Sequence, residues 1–147
     1  MKRHLYTLMG IAIVITVTGF HTKAQTSSRR LTASVPFEFR VGKTTFPAGE
    51  YEVTCTNPSS SAKILQIRQK GGSASVLIQT SDIVEPLQEK AKLVFHRYGD
   101  RYFLSQAWMQ GDGNGLVTPR SREEKNLERH LAGTKAEIAT VAMSEKR

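Results

Sequence analysis

The chain has 147 residues, a formal net charge of +8 and one cysteine, Cys55. That length makes one domain the default, and a lone cysteine excludes an internal disulfide framework, so stability must come from a packed core. The 21 Lys and Arg against 13 Asp and Glu are scattered, which an ordinary solvated surface explains without nucleic acid as a partner.

Lys2, Arg3 and His4 precede the apolar run Leu5 to Phe20, and Thr22-Lys23-Ala24 follows it. This is the layout of a secretory signal peptide covering residues 1–24, with cleavage before Gln25. The run has 16 residues, against about 20 for a membrane-spanning helix, so no permanent membrane span is expected. Lys2, Arg3 and Lys23 leave with it and no acid does, so the formal charge falls to +5. Such a chain is exported and resides in the periplasm or outside the cell. Residues 25–32 read as a flexible leader and 33–147 as one β-rich domain.

Val35, Phe37, Phe39 and Val41 alternate with polar residues and predict a first strand, with Pro36 at its start or on an edge. Gly42-Lys43 ends it, and Phe46-Pro47-Ala48-Gly49 suits a type I turn. Tyr51, Val53 and Cys55 make the inner face of a second strand, with Cys55 a small apolar filler. Asn57-Pro58 and three serines form a loop. Lys63 to Arg68 is a third strand, and Gly71-Gly72 turns the chain into a fourth, Ser73 to Thr80, whose two apolar faces place it centrally. Asp82 to Glu89 is a crossover.

Lys92 to Trp108 predicts a hairpin around Gly99-Asp100, since Gly at the first central position suits a type II′ turn. The register pairs His96 with Phe103, Phe95 with Leu104, Val94 with Ser105 and Leu93 with Gln106. One face then holds Leu93, Phe95, Leu104 and Trp108 as core, and the other holds Lys92, Val94, His96, Tyr98, Arg101, Phe103 and Ala107. Gly111 to Gly115 reads as a mobile loop. Ser121 to Glu124 is a capping box opening a helix near residues 121–132, with Leu127 and Leu131 on one face and Gly133 as its stop. Ala136 to Met143 alternates as a last strand. The fold class is mainly β: a single β-sandwich or partly open barrel of about seven strands with one C-terminal helix.

The segments Val35 to Gly42, Phe46 to Tyr51 and Tyr98 to Ser105, with Trp108 and Ser121 to Glu124, resemble a group of small exported β-rich proteins of soil bacteria with no known activity. The resemblance implies export and a β-rich domain; it transfers no catalytic or ligand residue.

The residues supply little chemistry. There is no GxSxG elbow, phosphate-binding loop or dinucleotide fingerprint. Two histidines and one cysteine in the mature chain lack zinc spacing, and the Asp112 loop fails as a calcium site at the apolar Leu116. No catalytic residue, metal or cofactor is therefore assigned. The expected function is a non-catalytic exported binding or envelope-associated module, its partner an envelope polysaccharide or another envelope protein. The alternative is a small hydrolase using His96, which requires a Ser, Cys, Asp or Glu within hydrogen-bond reach in a concave site. Lys92, His96, Tyr98, Arg101 and Phe103 form a candidate binding face, because aromatic rings beside cations can stack flat or acidic ligands. Packing of the terminal helix on that same face is the competing expectation.

Overall fold

A computed structural model describes residues 29–57, 60–131 and 135–145. The expected signal peptide, the first half of the leader (residues 25–28) and Gly133 lie outside them. Strands dominate: β1 (Arg30–Val35), β2 (Phe39–Val41), β3 (Thr44–Phe46), β4 (Gly49–Thr56), β5 (Ile64–Gln69), β6 (Ser75–Gln79), β7 (Ser81–Val84), β8 (Lys92–Tyr98), β9 (Arg101–Trp108), β10 (Asn114–Val117) and β11 (Glu137–Glu145), with one helix, α1 (Arg122–His130), before β11.

The sheet runs β3-β2-β9-β8-β11-β1-β4-β5-β6, while β10 joins β9 to β7. Strand β6 passes through the buried Thr80 directly into β7, and the Thr80 amide bonds Lys63 O just beyond β5. The path therefore returns through β7 and β10 to β9, giving a nearly closed barrel. Of the two architectures open to the sequence, the barrel is the one formed. Closure hides most strand edges, which otherwise invite unwanted pairing. Leu31, Ala33, Tyr51, Val53, Leu65, Ile67, Leu93, Phe95 and Leu104 point into one core. The Phe39 ring meets Phe46, Tyr51 and Phe95 at centroid distances of 5.0–5.3 Å.

Several elements differ from the sequence reading. Residues 30–32 belong to β1, so the extended chain begins inside the expected leader. The predicted strand across Val35–Val41 is two strands: Pro36 has no N–H for a ladder, and there the chain leaves the β1 ladder with β4 and β11 for β2, which pairs β9 and β3. Strand β6 pairs only with β5 and is an edge rather than central; Leu77 on it is 63% exposed. Part of the expected crossover is β7.

The largest revision concerns the expected mobile loop at Gly111 to Gly115, because Asn114-Gly115 begins β10. A Cβ on Gly115 would stand 2.6 Å from the Trp108 ring. This glycine gives the indole a seat and is not there for flexibility.

The hairpin occupies the predicted residues, and Gly99 has φ +61° while Asp100 does not enter the positive region, as a type II′ turn requires. Its register holds from Tyr98–Arg101 to Phe95–Leu104 and then slips: Val94 faces Gln106, Leu93 faces Ala107 and Lys92 faces Trp108. Ser105 is the extra residue of a β-bulge, which turns every later side chain to the opposite face. Ala107, expected outside, lies in the main core. Trp108, expected in that core, turns to the opposite face of the sheet, where it is still only 1% exposed, beside Lys92, whose Nζ sits 6.0 Å from the ring centroid.

Candidate functional site

The bulge brings Ser105 onto the face that carries His96 and Phe103. Ser105 Oγ lies 3.1 Å from His96 Nε2, and His96 Nδ1 lies 2.8 Å from Glu124 Oε1. With a carboxylate accepting from Nδ1–H, the neutral ring presents Nε2 to accept from the Ser105 hydroxyl. Both partners escaped the sequence reading: Ser105 depends on an unforeseen bulge, and Glu124 was assigned to the capping box. The Ser121 half of that box is present, with Oγ accepting from the Glu124 amide at 3.1 Å. Glu124 instead turns its carboxylate onto the sheet.

Helix α1 is held chiefly by polar groups. Its one buried residue is Glu124, Leu127 is half-buried and Leu131 is 38% exposed. Glu123 ion-pairs with Arg40 and, at 2.9 Å, with Arg101. Acids in the first turn and Arg129 and His130 in the last complement the helix dipole.

Of the candidate face, Phe103 and Tyr98 are buried, with their rings edge to face at 5.9 Å. His96 and Lys92 are half-buried, and Arg101 is exposed but paired to Glu123. The five residues are neighbours, yet the aromatic ones present no open surface. Tyr98 Oη is buried with no hydrogen-bond partner among the described residues. Burial first, then the nearby Glu124 and Glu128 carboxylates, pushes its phenol pKa above the ordinary value, with Arg120 opposing.

The Ser105–His96–Glu124 chain has the connectivity of a nucleophile, base and orienting acid. Ser105 is 8% exposed on a bulge within the sheet, and none of the three residues lines the clefts at Cys55, at Asp100 or at Gly71. The arrangement acts as a latch that ties the helix to the barrel.

The open concavity lies at one end of the barrel, where β1 and β5 begin and β4 and β9 end. It is a cleft of about 210 Å³ with Cys55, Met109 and Leu116 as its apolar floor and Arg29, Lys63, Asp112 and Asn114 on its rim. Burial raises the Cys55 pKa above that of an ordinary thiol; Lys63 lowers it, and Asp82 and Asp112 raise it further. The thiol is thus kept protonated and behaves as an apolar wall. No local signal in the sequence marks this cleft, because Arg29, Cys55 and Lys63 reach it from places far along the chain from the stretch Met109 to Leu116 that completes it.

Fold and cleft together define a small, nearly closed β-barrel with a pocket at its mouth, a common position for ligands in barrels. No family model, curated protein or solved structure matches the chain. Among the described residues, no helix is long and apolar enough to cross a membrane.

Proposed function

We propose that the protein is an exported, envelope-associated binding module that takes a small ligand in the cleft at the barrel mouth. The cleft carries this reading: it joins a buried apolar floor to a polar rim, the composition that holds and orients small ligands. The charged start, short apolar run and Thr22-Lys23-Ala24 support export, and mass spectrometry of exported protein should find Gln25 as its first residue. Native mass spectrometry of the purified protein after exposure to a small-molecule extract of bacterial envelopes tests binding. A bound species is expected, and Asn114→Trp, which fills the cleft from its exposed rim, should abolish it. An adduct retained by that variant would move the site elsewhere.

The Ser105–His96–Glu124 chain favours a second reading, a serine hydrolase. A fluorophosphonate probe separates the two: covalent labelling lost in Ser105→Ala supports the hydrolase, and an unlabelled wild type supports the latch.

A further inference from the structure

We infer that the ligand of the mouth cleft is a short amphiphilic carboxylate, its acyl segment against Cys55, Met109 and Leu116 and its carboxylate toward Arg29. This rests on the cleft being the ligand site and adds the ligand's chemical class. The floor residues are each less than a tenth exposed, and the Cys55 thiol is neutral for the reason given above, so the interior favours an uncharged chain.

The cleft is small, about 210 Å³, and its apolar floor is only three side chains, so the buried part of the ligand is a short acyl segment.

The rim sets the charge. Lys63 Nζ is held by Asp82 at 3.0 Å. Asp112 Oδ1 already accepts from the Asn114 backbone amide at 2.8 Å and from its side-chain amide at 3.1 Å. Asp82 thus matches the Lys63 charge, while Asp112, on the same lining, keeps its negative charge under the Asn114 hydrogen bonds. Arg29 is exposed and gives one donor to a neutral acceptor, Gln110 O, at 3.0 Å, and among the described residues it has no acidic partner. A guanidinium carries five N–H donors in a fork that matches a carboxylate. Among the described lining residues Arg29 is the cation with no ion-pair partner, and its donor fork beside an apolar floor favours a carboxylate with a hydrocarbon tail over a neutral or cationic ligand.

Cys55 is the chain's one cysteine, so its alkylation by iodoacetamide, read by mass on the full chain at one alkaline pH where the unliganded thiol is labelled, and its protection by ligand report on this cleft alone. The probes are octanoate, octan-1-ol and octylamine. Octanoate should protect at about tenfold lower concentration than octan-1-ol, the equivalent of one charge-assisted contact. Octylamine should protect least, and Arg29→Gln should bring octanoate to the level of the alcohol. Octylamine protecting as well as octanoate, or octanoate unaffected by Arg29→Gln, would overturn the carboxylate inference. Protection by octan-1-ol that vanishes in Asn114→Trp would leave the cleft reading standing in that event. Protection by none of the three probes would remove both.

Discussion

Removing both ends of the helix latch should cost no more than removing one, and far less than the sum of the two single losses. His96 and Glu124 have side chains only 14% and 4% exposed, so solvent cannot replace a lost partner. A buried hydrogen bond to a charged group contributes about 1.5–3 kcal/mol, and leaving its partner unsatisfied adds a desolvation penalty. His96→Leu strands the Glu124 carboxylate and also leaves Ser105 Oγ without its acceptor; we expect a loss of about 3 kcal/mol. Glu124→Leu strands only an imidazole nitrogen, and its expected loss is about 2 kcal/mol. The double variant replaces the pair with apolar groups that suit the neighbouring Phe103 and Tyr98, and should lose about 2 kcal/mol. The coupling energy is then about 3 kcal/mol in magnitude, the upper end for side chains in direct contact. Urea denaturation followed by circular dichroism measures all four proteins. Additive losses, with coupling below about 0.5 kcal/mol, would refute the latch.

Phe103→Ala removes a 2%-exposed ring and should cost about 3 kcal/mol in the same assay; a near-neutral result would mean that the ring faces solvent. Gly115→Ala forces a Cβ into the Trp108 ring and should cost about 1–3 kcal/mol with a shift in tryptophan emission, whereas unchanged emission would show that the ring sits elsewhere. Tyr98→Phe deletes the unpartnered hydroxyl and should be neutral or stabilising by about 1 kcal/mol. The raised Tyr98 pKa also has a pH consequence. Above about pH 10 the unfolded chain releases this proton while the folded chain retains it, so stability falls as pH rises toward the folded value. That alkaline loss should shrink in Tyr98→Phe, as denaturation at pH 9 and 11 would reveal. Ser121→Ala removes the helix cap acceptor and should cost about 1 kcal/mol; no loss would mean the cap bond does not form in solution.

What could be read from the sequence was what short-range chemistry dictates. Gly99-Asp100 between two alternating runs located both hairpin strands, and Ser121 located the helix start, because turn and cap geometries depend on residues within four positions. The bulge at Ser105 left no such mark. Any residue can be the extra one, and its effect appeared only downstream, where Ala107 and Trp108 exchanged faces. Glu124 was correctly placed at the third helical position, but its partner His96 lies 28 residues away, a pairing that only the assembled sheet defines. The mouth cleft was beyond sequence reasoning for the same cause: Arg29, Cys55, Met109 and Leu116 meet only once the barrel closes.

The position of β11 between β8 and β1 has a kinetic consequence. Until this late strand arrives, β8 and β1 each present a bare row of amides and carbonyls, and the barrel wall has a gap one strand wide. Pairing Leu31 with Glu145 spans most of the chain and pairing Val141 with Leu93 about a third of it, so closure is slow compared with the local hairpins. A nascent chain, or one truncated before Glu137, is therefore a half-built sheet with two adhesive edges. Its safety against aggregation depends on completing synthesis before it begins to fold in earnest.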